Sequence, residues 1–319
     1  MGLEETILDD LERIDTIINF KRRIANEIDR LPAGSYDLNG NAQSLIRFLL
    51  LSDAHGLVER QHGRRVPKQR WTVEEIPQKV TSHIFDDNKL GKLRQRFNSI
   101  YEMVLTSFKP ELDAILKESY KIDGPVFQPW YMNQCPNATW QGKTGRQNAQ
   151  AATLELISIL QKENGWGGME DIIKYLRKIH FRRGVLPFKA SLTGMLGQRY
   201  KRHWYEAVID AYPTLHLKQW YFDVGRNFWE QDERNGYPNA KEATNQLLDN
   251  LMATYRWSPS ELAKKINRRY FRSNVLPYNV SLAGMQQQLF PDFRDAVVLA
   301  RPDLYKKENG SLVYTARAS

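Results

Sequence analysis

The sequence predicts an all-α protein of about three tandem trihelical units joined by connecting helices. Three observations carry that prediction. The stretch FRRGVLPFKASLTGM at 181–195 returns as FRSNVLPYNVSLAGM at 271–285, identical at nine of fifteen positions. Seven of the eight tryptophans fall at repeated positions. Apolar residues recur at helical spacing, and no run alternates for long enough to make a useful strand. Self-similarity at a period near ninety residues is the mark of an architecture whose copies bury their apolar faces against one another.

Residues 1–32 are expected to form an N-terminal helix. Ile7, Leu11, Ile14, Ile18, Ala25 and Ile28 keep a three-four spacing, broken by Lys21 and closed by Leu31-Pro32. Such a helix packs onto its own core or pairs as a short coiled coil, so self-association is one expected partner mode. The first unit, 41–112, is degenerate. WTVEEIPQKVTSHIF opens at Trp71, but the Leu-Pro loop is missing, and Phe85 to Phe97 is seven residues shorter than the matching span in the other copies. The second unit, 130–215, and the third, 220–304, begin with WYMNQCPNATW and WYFDVGRNFW. Each continues through a connecting helix (148–164, 240–255) to an opening Trp166 or Trp257. Residues 305–319 are expected to be a C-terminal tail.

Within a unit, Ser258-Pro259-Ser260-Glu261 reads as a helix start with its acid in the first turn. Leu262, Ile266 and Tyr270 predict one helix through all three. Leu276-Pro277 breaks the chain, because proline disfavours a helical residue before it. Ser281, like Ser191, is expected to cap a short second helix that ends at Phe290 or Tyr200. A third helix carries Tyr205, Val208 and Tyr212 and stops at Pro213, matched by Pro302. The repeated aromatics are expected to fill the same internal site in each copy; stacking on bases by one or two exposed members is the alternative.

Hydrophobic residues at 41% and aromatics at 11% suit a folded chain rather than a disordered one. No apolar run approaches the roughly 20 residues of a spanning helix, so no membrane partner is expected. The N-terminus alternates acids with apolar residues, unlike a secretion signal. Met1-Gly2 with Thr6 fits a myristoylation pattern that Glu4 and Glu5 oppose. The lone Cys135 excludes an internal disulfide framework and any Cys-paired zinc site, and a cytoplasmic location is the default. In a bacterial or phage setting the chain is expected at the nucleoid.

The net charge of +9 favours a polyanionic partner. Its placement says more. Residues 174–202 hold Lys174, Arg177, Lys178, Arg182, Arg183, Lys189, Arg199, Lys201 and Arg202 and no acid; 262–291 hold Lys264, Lys265, Arg268, Arg269 and Arg272, again without one. A solvated helix normally mixes signs. Two acid-free stretches of about thirty residues instead suit phosphates. On one continuous helix, Lys264, Arg268 and Arg272 would form a basic stripe. GRRVPKQR at 63–70 extends the charge to the first unit.

The order of helix, Pro loop, Ser-led short helix and WYEAVIDAYP resembles the homing-endonuclease-associated repeat, a small helix-turn-helix-like DNA-binding module. The resemblance covers 166–215 and 257–304, with an echo at 71–112. It departs from the family before Trp204, where Lys201-Arg202-His203 stands instead of Gly-Ser, and in its long connectors. It implies that the short second helix reads the groove. Gln95, Gln198 and Gln288 fall at one equivalent position there and, with Arg199, are the base-readout candidates, since glutamine can bond adenine through both amide groups.

The six histidines are scattered, with no His-x-x-x-His pair, and no phosphate loop, nucleophile elbow or kinase signature occurs. Asp53 and His55 in SDAHG are the nearest approach to a catalytic pair. The expectation is a non-enzymatic, sequence-specific double-stranded DNA-binding protein, a transcriptional regulator or repressor, with no cofactor and no metal site. An RNA-binding helical repeat and a scaffold for an acidic protein are the alternatives.

Overall fold

The computed structural model describes residues 41–51, 58–88, 94–95, 97–122, 127–182, 184–224, 228–229, 237–273 and 275–315. The predicted N-terminal helix and the Asp53/His55 pair lie outside them. The described chain is mostly helical, and no described helix is long and apolar enough to cross a membrane.

Two small antiparallel hairpins correct the expectation of a wholly helical chain. β1 (Val58–Gln61) pairs with β2 (Arg64–Pro67) around His62-Gly63, and β3 (Tyr305–Glu308) with β4 (Ser311–Tyr314) around Asn309-Gly310. All four turn residues take positive φ, as a two-residue turn of the I′ type requires. Strands of four residues are too short to display a period of two, so only the His-Gly and Asn-Gly pairs signal them. Residues 305–314 are thus a hairpin rather than a tail. Buried Tyr305 anchors it, donating to Pro259 O at 3.2 Å.

The chain divides into two compact units, Met1–Leu156 with Ile179–Arg202, and Ile157–Lys178 with His203–Ser319. In the first, α1 (Asn41–Leu51) packs on α4 (Ile100–Glu118), burying Ile46, Leu49 and Leu50 with Met103, Phe108 and Leu112. Ser99 caps α4 by accepting from Glu102 N at 3.0 Å. α2 (Ile76–Lys79) precedes α3 (Ser82–Asp87), which lies on β1. In the second unit, α9 (Pro238–Tyr255) packs against α10 (Pro259–Lys265) and α12 (Phe293–Ala300), and the 305–314 hairpin covers α10 and α12.

The remaining helices are α5 (Gly142–Asn164), α6 (Met169–Tyr175), α7 (Thr193–Arg199), α8 (Trp204–Ala211) and α11 (Ala283–Leu289). They make the local correspondence visible. α6 and α10 stop at Leu176 and Ile266, whose φ/ψ are −66/137° and −64/138°; α2 stops at Val80 with −70/127°. The single helix expected through Leu262, Ile266 and Tyr270 is therefore broken at Ile266. Asn267 supplies the reason in the third copy. Its side chain accepts from Arg269 N at 3.0 Å and opens a separate 3₁₀ turn, Arg268–Arg272, a local bond that competes with the helix.

The Leu-Pro loops match as closely. Phe188-Lys189 and Tyr278-Asn279 take φ of 57°, 58°, 59° and 56°. Ser191 Oγ donates to Phe181 O at 3.2 Å and accepts from Thr193 N, while Ser281 Oγ repeats both bonds to Phe271 and Ala283. The N-caps of α7 and α11 are Leu192 and Leu282, so each serine stands one place before its predicted position and clamps the loop instead. These loops dock on the first helix of the preceding copy. Residues 187–189 lie against α2 in one unit and 277–279 against α6 in the other. Phe188 N donates to Tyr120 OH at 2.9 Å, and Asn279 Nδ2 to Glu170 Oε1 at 2.5 Å. Nearest-neighbour docking of this kind explains why the chain writes the stretch twice.

Candidate nucleic-acid interface

In the third copy, a capping box starts α10: Ser258 Oγ accepts from Glu261 N, and Glu261 accepts from Ser258 N. Lys264 and Lys265 fill its last turn, at the negative end of the helix. Lys265 is tied to Glu261 at 2.9 Å. Lys264, Arg269 and Arg272 are exposed, and their side chains hold no ion pair or hydrogen bond among the described residues. Arg268 differs. Its Nε donates to Gln286 Oε1 at 3.0 Å, and buried Gln286 passes its amide to Phe290 O at 2.9 Å. The break at Ile266 removes the continuous stripe of Lys264, Arg268 and Arg272, and Arg268 is a strut between turn and α11.

In the second copy, Lys174 is exposed over the Tyr175 ring at 4.9 Å, and the bond to Tyr175 holds its ammonium above the usual lysine range. Arg177 donates to Leu176 O at 2.7 Å and meets Asp223 at 3.2 Å, so the acid-free stretch is not acid-free in space. Lys178 is half-buried and Arg182 exposed; Arg183 lies outside the described residues.

Gln198 and Gln288 are exposed on the last turns of α7 and α11, and neither side chain is bonded among the described residues. Beside them the helix surface is bare: a Cβ added at Gly194, Gly197 or Gly284 meets no described atom within 4 Å. Gln95 is exposed in a turn. Arg199 donates to Trp140 O at 3.1 Å and Gly142 O at 3.3 Å, which holds its guanidinium on its own chain.

The charge at 63–70 lies on the first hairpin and its exit. Buried Glu59 accepts from Trp71 Nε1 at 2.8 Å, and buried Lys68 donates to Leu50 O at 2.9 Å, fixing the base of the ribbon. Arg65 pairs with Asp87 at 2.7 Å, whereas Arg64 and Arg70 are exposed. A shallow cavity of about 290 Å³ runs along it, lined by Gln61, Val66, Pro67, Lys68, Gln69 and Arg70. Charge alone marked this segment in the sequence; its ribbon form was signalled only by His62-Gly63.

Five of the seven repeated tryptophans are buried, as their register predicts, and so is Trp204; Trp166 and Trp257 depart from that expectation and are half-exposed. Among the described residues no group of three or more His, Cys, Asp and Glu could hold a metal ion. Burial pushes the Cys135 thiol up to about 11, away from reactivity. No protein-family model, curated protein or solved structure matches the chain.

Proposed function

We propose that this chain is a non-enzymatic protein that binds double-stranded DNA sequence-specifically, as a transcriptional regulator or repressor, through tandem trihelical, helix-turn-helix-like units. The observation that carries the reading is the recurrence of one order of residues along the chain. In two copies a short helix carries an exposed, unbonded glutamine in its last turn, on a face bared by glycine. Exposed cations precede it in the chain, Lys174 and Arg182 in one copy, Lys264, Arg269 and Arg272 in the other.

The division of labour follows from chemistry. Lysine and arginine neutralise phosphates and set affinity. Gln198 and Gln288 are the groups that address base edges in this reading, where a bidentate amide distinguishes adenine. A glycine-bare helix face lets the duplex backbone come close. Arg199 and Arg268, both engaged within the chain, are left out of the contact set. The test is selection from random duplex DNA, with structured RNA and an acidic protein offered as competitors in physiological salt. Enrichment of one duplex sequence supports the reading; displacement by RNA or by the acidic protein replaces it.

A further inference from the structure

Two parallel aromatic stacks stand at the surface of the second compact unit. Tyr255 lies on Trp257 with ring centroids 4.9 Å apart and planes at 22°. Trp166 and Tyr175 lie 6.0 Å apart at 26°. The two tyrosines are the most exposed large apolar side chains among the described residues, at 46% and 45%.

Core packing accounts for only part of them: half-buried Tyr270 stands edge-on to Trp257 at 5.5 Å and to Tyr255 at 5.9 Å, yet both stacked tyrosines stay exposed. The tryptophan recurs in register, but its tyrosine does not. Tyr175 follows Trp166 from the end of α6, whereas Tyr255 precedes Trp257 at the end of α9. The residue that matches Tyr175 in the third copy is Lys265, whose ammonium lies over the Trp257 ring at 5.3 Å. One arrangement, an indole with a half-open phenol ring against it and a lysine over an aromatic face, is thus built twice from different positions of the repeat. A core position copied with the repeat keeps its register. A surface kept for what it touches need not.

The surroundings identify the ligand. Lys174 lies over Tyr175 at 4.9 Å, and exposed Arg256 separates Tyr255 from Trp257 in the chain. The acids close by are engaged: Glu261 with Lys265 and Ser258, Glu170 with Asn279, and Asp171 with Gly167 N. A half-exposed aromatic ring flanked by cations complements a flat, apolar ring joined to an anion. A base within a duplex has both faces covered by its neighbours, so only an unpaired base presents one. We propose that the Tyr255–Trp257 and Trp166–Tyr175 stacks are platforms for unpaired bases of single-stranded DNA, with Arg256, Lys264 and Lys174 taking the adjoining phosphates. The site shares Lys174 and Lys264 with the duplex-binding reading, but its aromatic platforms are tested apart from it.

The test uses the full chain and a labelled oligomer of about ten thymidines, within the span of single-strand sites, beside an abasic oligomer of equal length and charge. Wild type is expected to bind the thymidine oligomer more tightly than the abasic one. Tyr255→Leu and Tyr175→Leu keep bulk but lose the π-face, and each should weaken thymidine binding roughly tenfold. Tyr255→Phe and Tyr175→Phe should bind as wild type, and duplex affinity should be unchanged throughout. Equal wild-type binding of thymidine and abasic oligomers, or binding of neither, overturns the proposal without any variant. So does a leucine variant indistinguishable from wild type, or a phenylalanine variant as weak as its leucine counterpart. Retained thymidine binding with no duplex binding would instead overturn the duplex reading and leave the platforms standing.

Discussion

Gln246 occupies in the third copy the position that Glu155 holds in the second. Glu155 accepts from Trp130 Nε1 at 2.8 Å and from the Tyr131 hydroxyl; Gln246 accepts from Trp220 Nε1 at 3.2 Å and donates to Tyr221 OH at 2.5 Å. Those tyrosine rings then meet Phe188 and Tyr278, the loop residues of the same copies. A carboxyl and an amide thus perform one structural task.

Burial pushes the Glu155 carboxyl above the usual 4.5, against the bonds from Tyr131 and Trp130. The folded chain therefore holds this proton more tightly than the unfolded one. Its stabilising share is full at low pH and is lost as pH rises from 4.5 through the raised value. Glu155→Gln should abolish that slope and be no less stable at neutral pH. Glu155→Ala should cost about 1–3 kcal/mol for each orphaned donor. Urea denaturation across a pH range of about 4 to 8 checks both.

The capping box gives the opposite sign. Bonding from the Ser258 backbone, then from Lys265, holds the Glu261 carboxyl down at about 2. Its contribution is complete above the ordinary 4.5 and is lost as pH falls from there toward 2. Amide protection in α10, relative to the intrinsic exchange rate at each pH, should fall through that window in wild type and lose this dependence in Glu261→Gln. Ser258→Ala should cost about 1 kcal/mol at neutral pH.

Loop docking makes two glycines behave oppositely. Gly184 has φ of +62°, and a Cβ there would stand 2.6 Å from Lys189 O, so Gly184→Ala should cost about 2 kcal/mol or more. Gly194 lies in α7 with open space around it, so Gly194→Ala should stabilise by about 0.5–1 kcal/mol while weakening DNA binding. Thermal melts and a binding titration on the same samples separate the two effects. Phe188→Ala, at the buried centre of the docked loop, should cost about 3–5 kcal/mol.

Much of this was legible because it is written twice. The tryptophan register, the Leu-Pro break and the ends of α7 at Tyr200 and α11 at Phe290 all follow from repeated residues with local physical meaning. Hidden features depend on choices that spacing does not encode. Leu262 and Ile266 are both buried as their spacing predicts, yet the extended Ile266 turns the chain before Tyr270. Charge was legible in amount but not in engagement. Arg268 and Lys264 look alike in sequence, and only the fold gives Arg268 the Gln286 partner.

Gln198 separates reading from gripping. Gln198→Ala should relax preference at one base position and cost roughly 1–3 kcal/mol on the preferred duplex alone. Competition between the preferred sequence and single-base variants of it measures this. Equal losses on preferred and scrambled duplexes would remove Gln198 as a reader.

The most direct test of duplex binding through the exposed cations is the salt dependence of affinity. Wild type and a Lys264→Ala, Arg269→Ala, Arg272→Ala triple variant would be titrated with the selected duplex over a series of salt concentrations. If each residue holds one phosphate, the slope of log K against log salt should shrink by roughly 0.9 per lost contact, about 2.7 in all, on cognate and scrambled duplexes alike. A wild-type affinity indifferent to salt, or a triple variant with the wild-type slope, would contradict the account.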